Sequence, residues 1–276
     1  MSPEPRSVEI AIEIQATAEE VWAALTEADQ LVNWFPLQAA VRPGVGGETR
    51  WSWDGGWTWV SEITKWAPGR ALGLVNREQR PYDIEGRAME PDRVAAATLV
   101  MDFTLETRSG KTHLRLVHSG FGHGAPWDDE LEGVSVGWQF ELRSLKWYLE
   151  RHRGRRRRAG MARIDTSLSQ TEAWARLRGA GGFSINPWPP KEGAPVVVRA
   201  SGGDGYAGEV LFHLPDREFV CVVDQLGAGL FRIGTHQAGG RTGVTVWHAS
   251  FSADQGFIDE ATRRSQQLID QLFGLD

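Results

Sequence analysis

The sequence predicts an α+β fold built as two tandem modules, each a curved antiparallel sheet wrapped around a long C-terminal helix. Three observations predict it. The stretch Asp128 to His152 carries Leu131, Val134, Trp138, Leu142, Leu145 and Leu149 at steps of three and four, one face of a helix. Nearly everything before it reads as strands joined by short turns, and consecutive hairpins make an antiparallel sheet. The chain then repeats itself: Ser169, Glu172, Ala173, Trp174 and Leu177 reproduce Thr17, Glu20, Val21, Trp22 and Leu25 at a shift of 152 positions.

In chain order, Val8, Ile10, Ile12 and Ile14 alternate with Glu9, Ala11 and Glu13, the pattern of a half-buried strand. Thr17 and Glu20 then form a capping box, opening a helix that buries Val21, Trp22 and Leu25. A short helical piece, Asp29 to Phe35, ends at Pro36 because the residue before proline resists helical geometry. Glu48–Trp53 and Trp57–Lys65 flank Asp54-Gly55-Gly56, a three-residue hairpin turn. If Trp53 pairs with Trp57, then Trp51, Trp53, Trp57 and Trp59 share one face. Further strands are expected near Arg70–Asn76, Tyr82–Ala88, Ala95–Thr107 and Lys111–His118. The long helix follows, with Asp128, Asp129, Glu130 and Glu132 at its start and Lys146, Arg151 and His152 at its end, matching the helix dipole.

The first module therefore spans 1–152, and 153–160, with Arg153 and Arg155 to Arg158, forms a basic linker. The second module, 161–276, is expected to be shorter and degenerate. It opens with the capping box at Ser169 and lacks a counterpart to Leu31–Phe35. Strands are expected at Val196–Ala200, Glu209–Leu214, Glu218–Val223, Leu230–Thr235 and Val244–Ser250. A final helix over Asp254–Phe273 buries Phe257, Ile258, Ala261, Ser265, Leu268, Ile269 and Leu272. Gly202-Gly203-Asp204-Gly205 is a turn between strands.

Composition narrows the function classes. The net charge of -6 divides unevenly: residues 1–152 hold 15 Lys/Arg against 23 Asp/Glu, and 153–276 hold 15 against 13. Neither part is a basic nucleic-acid surface, and the arginine run reads as a solvated linker. The N-terminus has no apolar signal core and no apolar run approaches a membrane span, so a cytoplasmic protein without membrane insertion is expected. The lone Cys221 excludes an internal disulfide and reads as a small buried core residue. No phosphate loop, nucleophile elbow, zinc-protease pair or dinucleotide fingerprint is present, and no cofactor is expected.

The opening ATAEEVWAALTEADQLVNWF, with Val21-Trp22 and Leu31 to Phe35, resembles the START-like (SRPBCC) helix-grip superfamily, in its branch of activator-of-heat-shock-protein-ATPase homologues. Gly46-Gly47-Glu48, Trp66-Ala67-Pro68-Gly69-Arg70, His118-Ser119-Gly120-Phe121-Gly122 and Gly137-Trp138 with Leu142, Leu145, Lys146, Tyr148 and Leu149 continue the resemblance over residues 8–152. It implies a sheet gripping the long helix with a cavity between them. The superfamily includes lipid carriers, cyclases, hydrolases and chaperone partners, so the motifs identify a fold rather than a reaction. Its co-chaperone members carry a different domain ahead of this module, whereas here the module is expected to begin the chain.

The expected ligand-binding residues are Trp51, Trp53, Trp57, Trp59, Met101, Phe103, His118, Leu131, Val134 and Trp138. Four indoles on one face either line an apolar pocket whose N–H groups orient a ligand or fill the core. Gly137 leaves room beside Trp138. His118, in phase with Leu114 and Leu116, points to the concave side, as a weak catalytic acid–base candidate or a satisfied structural histidine. Asn76, Ser61 and Ser135 are its possible polar partners. His118 and His123 with Asp128 or Glu130 make a nonspecific metal pattern, and no metal is expected. Three functions follow: binding of a small hydrophobic or amphipathic molecule without catalysis, a polyketide cyclase- or hydrolase-like enzyme using His118, and a co-chaperone-like module that docks a chaperone or another protein.

Overall fold

The computed structural model describes residues 6–53 and 57–274. The chain divides into two compact units, Met1–Arg155 and Arg156–Asp276. The hairpin turn Asp54-Gly55-Gly56 lies outside the described residues.

In the first unit, strand β1 (Arg6–Ile14) leads to helix α1 (Ala18–Thr26), whose capping box between Thr17 and Glu20 is formed in full. Helix α2 (Ala28–Leu31) follows, then β2 (Gln38–Arg42), β3 (Glu48–Ser52), β4 (Thr58–Ala67), β5 (Ala71–Gln79), β6 (Ala97–Arg108) and β7 (Lys111–Phe121). They form one antiparallel sheet in the order β1-β7-β6-β5-β4-β3-β2. The strands alternate buried and exposed residues, as in Leu99, Met101, Phe103 and Leu105 of β6, so one face is dry. Helix α3 (Ala125–Trp147) lies on that face through Val134, Trp138, Leu142 and Leu145, and continues as one π-helical turn, Tyr148–His152. Buried hydrogen bonds lock the helices together: the Trp34 indole donates to the Ala24 carbonyl at 2.8 Å, and the Ser144 hydroxyl donates to the Trp34 carbonyl at 3.1 Å.

The second unit repeats the plan. Strand β8 (Arg158–Thr166), helix α4 (Gln170–Leu177) with its own complete capping box at Ser169/Glu172, β9 (Phe183–Asn186), β10 (Pro195–Ala200), β11 (Gly205–Leu214), β12 (Glu218–Val223), β13 (Gly229–Ala238) and β14 (Arg241–Ser250) precede helix α5 (Gln255–Phe273). The strand order β8-β14-β13-β12-β11-β10-β9 matches that of the first unit one for one. Ile258, Ala261, Ser265, Leu268 and Ile269 of α5 are buried on the sheet. Both units are therefore helix-grip folds. The second is shorter without losing a strand; among its described residues no second short helix follows α4.

Several local expectations change. Tyr82–Ala88 is not a strand: a single bridge joins Tyr82 to Ala88 around a turn held by Asp83, whose carboxylate accepts the backbone N–H of Glu85 and Arg87. Three strands escape the periodicity. β2 is a small-residue edge strand, β8 starts within the arginine run, and β9 is only four residues long. The arginine run is also less solvated than its composition implies. Arg153 pairs with Glu20, and Arg157 is 8% exposed and lies over the Trp247 ring at 5.5 Å.

Candidate functional site

The site begins with the β3–β4 hairpin. Trp51 pairs with Trp59, and the Trp53 N–H donates to the Trp57 carbonyl at 2.9 Å, so the four indoles share one face. They differ in depth. Trp51 is 2% exposed and meets Phe35 edge-on at 5.0 Å; Trp53, Trp57 and Trp59 are half-buried. Trp53, Trp57 and Trp59 contact one another at centroid distances of 5.0 to 6.0 Å. The Trp51 indole N–H is buried and has no hydrogen-bond partner among the described residues. A buried donor left unmet costs free energy, which a core normally avoids.

His118 stands deeper, on β7 opposite Met101 of β6. Its ring is 1% exposed, 6.3 Å from the Trp59 ring. The Trp138 indole N–H donates to Nδ1 of His118 at 3.1 Å. An accepting Nδ1 requires the ring proton on Nε2 in the neutral form, and Nε2 has no partner among the described residues. Burial lowers the His118 pKa to about 3, so the ring is neutral at physiological pH. It can donate one hydrogen bond through Nε2; with Nδ1 occupied it is poorly placed to move protons. The glycines after it have steric reasons. Gly120 has φ +93° and a Cβ there would stand 2.1 Å from the Thr98 carbonyl oxygen; the kink brings Phe121 against His118 at 4.8 Å. A Cβ on Gly122 would collide with Trp127.

The third part is the turn after β5. Glu130 of α3 accepts the Tyr82 backbone N–H at 3.2 Å, and the Tyr82 ring lies 5.8 Å from Trp57. Burial raises the Glu130 carboxyl to about 7, against the lowering effect of the Tyr82 N–H. Burial also raises the Tyr82 phenol; Gln79 opposes it and the Glu130 charge adds to it. The Trp57 and Trp59 indole N–H groups are buried and have no hydrogen-bond partner among the described residues. The sequence does not point to Tyr82, and it points to Glu130 only as a first-turn acid and in the nonspecific metal pattern.

Of the expected residues, Met101 and Phe103 are fully buried, Val134 and Trp138 are buried on the facing helix, and Leu131 is half-buried. Trp138 contacts Phe35 at 5.0 Å and Phe103 at 5.8 Å, tying the helix to the segment after α2 and to β6. A Cβ on Gly137 would meet nothing within 4 Å. Ser61 and Asn76 satisfy each other: the Ser61 hydroxyl donates to Oδ1 of Asn76 at 2.9 Å, and Nδ2 of Asn76 donates to the Val60 carbonyl at 2.7 Å. The imidazole partner is instead Trp138. His123 is exposed, Asp128 pairs with Arg6 at 2.7 Å, and no group of three or more His, Cys, Asp or Glu side chains among the described residues is arranged for a metal.

Residues 15–150 match the profile of the family described as activator of Hsp90 ATPase homolog 1-like protein. The first unit belongs to that family. No curated protein matches the sequence. Among solved structures, protein MLL2253 from Mesorhizobium loti is 25% identical over 54% of this chain and 99% of its own, with a TM-score of 0.45. DynU16, from the dynemicin biosynthetic locus, is 18% identical over 98% of this chain and 96% of its own, at 0.44. BexL, described as a di-domain ARO/CYC from the BE-7585A biosynthetic pathway, is 16% identical over the same shares, at 0.43. These are loose likenesses. The matched segment contains the tryptophan hairpin, His118 and Glu130 together. No helix among the described residues is long and apolar enough to cross a membrane.

Proposed function

We propose that the first unit binds a small, flat, neutral hydrophobic molecule that carries hydrogen-bond acceptors, such as an aromatic ketone. The observation behind this reading is two of the four buried, unmet donors on the aromatic face, Nε2–H of His118 and Nε1–H of Trp51, beside those of Trp57 and Trp59. Aromatic walls favour a planar ligand, and inward-facing donors favour a carbonyl-type oxygen over a hydrocarbon. Glu130 makes the site unsuited to a carboxylate when it is ionised. Trp53, Trp57, Trp59 and Leu131 would form the ligand's entry side, and Met101, Phe103, Val134 and Trp138 its floor.

Calorimetric titration with 1-tetralone and with tetralin, the same skeleton without the oxygen, tests the reading. The ketone is expected to bind about tenfold more tightly, the value of one net hydrogen bond of about 1.4 kcal/mol. Equal affinities, or no binding of either, would overturn it.

One observation favours a second reading, an acid–base enzyme: a Glu130 carboxyl near neutrality that accepts the Tyr82 backbone N–H and whose charge reaches the Tyr82 phenol. On that reading Glu130 rather than His118 moves the proton. A Glu130→Gln variant that kept full turnover on an identified substrate would exclude it. Docking of a chaperone, which the family's description suggests, has less support, because the tryptophans pack inward against Phe35, Tyr82 and His118.

A further inference from the structure

The second unit preserves the histidine of the first at the same point of the fold. His118 is the eighth residue of β7, and His248 is the eighth residue of β14. Each strand follows a two-residue turn and pairs back on its predecessor, so His118 sits opposite Met101 and His248 opposite Phe231. Each ring bonds to the closing helix: His118 to Trp138 of α3, and His248 Nε2 to the Ser265 hydroxyl of α5 at 2.9 Å. Each retains one ring nitrogen with no partner among the described residues, Nε2 in the first case and Nδ1 in the second.

The facing hairpin corresponds as well. Trp51–Trp59 is the second pair from the turn in β3–β4, and Val198–Tyr206 is the second pair from the turn in β10–β11. Tyr206 thus takes the place of Trp59, and its ring lies 5.8 Å from His248, close to the 6.3 Å between Trp59 and His118. Two residues nearer the turn, the Trp53 N–H bonds the Trp57 carbonyl, and the Ala200 N–H bonds the Asp204 carbonyl. Asp204 therefore replaces Trp57, and its carboxylate pairs with Arg264 of α5 at 3.0 Å.

We infer that the second unit holds a ligand site of its own, on the Nδ1 side of His248, that takes a single-ring phenol. The aromatic surface is small: Tyr206 stacks on Phe231 at 4.6 Å, and Phe183 meets Phe231 at 5.7 Å. That suits one ring rather than a polycycle. The His248–Ser265 bond can run in either direction, so Nδ1 is an unmet donor in one tautomer and an unmet acceptor in the other. A hydroxyl satisfies both; a ketone satisfies only one. The Asp204–Arg264 pair gives the rim a polarity that the tryptophan hairpin of the first unit lacks.

The test is a titration of the full-length protein, labelled with ¹⁵N in its histidines, with p-cresol and with toluene. A His118→Phe background removes the first unit's equivalent signal. The imidazole resonances of His248 are expected to shift and saturate with p-cresol and to stay in place with toluene, and a His248→Gln variant is expected to lose p-cresol binding. No His248 shift at millimolar p-cresol would overturn the inference. So would an equal response to toluene, which would mark an apolar gap, or p-cresol binding that disappears in a His118→Phe protein whose remaining histidine resonances show it folded. Because the wild-type second unit is titrated directly, a variant that fails to fold leaves the result intact.

Discussion

Trp138 donates its indole N–H to Nδ1 of His118 across 3.1 Å, joining the long helix to the last strand and fixing which imidazole nitrogen carries the proton. Both residues are buried, at 3% and 1% exposure, so water cannot replace either partner. Replacing Trp138 by Phe removes the donor, keeps most of the aromatic packing and leaves a buried acceptor unmet. The expected cost is about 1–3 kcal/mol, read from denaturant unfolding midpoints. A Trp138→Phe protein as stable as the parent would mean that the bond contributes nothing.

His118, which is buried, and Glu130, which is half-buried, give opposite pH dependences. His118 has a folded pKa of about 3 against an ordinary 6.5, so between those values the unfolded chain binds the extra proton. Its contribution is complete above about pH 6.5 and is lost as pH falls toward 3. Glu130 has a folded pKa of about 7 against an ordinary 4.5, so there the folded chain holds the proton. Its contribution is complete below about pH 4.5 and is lost as pH rises through 7. Glu130→Gln should therefore gain about 2 kcal/mol relative to the parent on going from pH 5 to pH 8, measured by chemical denaturation at both values.

The two capping boxes should weigh alike. Thr17→Ala and Ser169→Ala each remove a hydroxyl that accepts a first-turn N–H, at 3.2 and 3.3 Å. Each should cost about 1 kcal/mol, and each should be largely rescued by Asp at the same position. Unfolding measurements on the four variants check both halves of this expectation.

Glycines near the site separate space from strain. Gly137→Ala meets nothing within 4 Å and sits inside α3, so it should stabilise the protein by about 0.5–1 kcal/mol through helix propensity. Gly120→Ala places a Cβ against the Thr98 carbonyl at positive φ and should destabilise by more than about 2 kcal/mol. Melting temperatures of the pair are expected to move in opposite directions.

Elements set by local chemistry were readable from the sequence. Both capping boxes, both closing helices and the shared face of the four tryptophans depend on spacing alone, and the structure has all of them. The partner of His118 was not readable, because its distance along the chain carries no signal; Ser61 and Asn76 turn out to bond each other. Glu130 was obscured by its neighbours. Among four acids it reads as a first-turn charge, but the helix starts at Ala125, after Gly124 and with Pro126 in its first turn, which moves Glu130 to the second turn beneath Tyr82. Tyr82 was obscured in turn because Asp83 bends a segment whose residue types suit a strand. β8 and β9 were missed because one hides in a basic run and the other is too short to show a period.

The most direct test of ligand binding in the first unit is to observe the unmet donors themselves. Protein labelled with ¹⁵N in tryptophan and histidine is titrated with 1-tetralone while the indole N–H of Trp51 and the Nε2–H of His118 are followed by NMR. Both resonances are predicted to move downfield together and to saturate, and the Trp138 indole, already bonded to His118, to move much less. Binding that leaves the Trp51 and His118 signals in place would contradict a site built on those two donors.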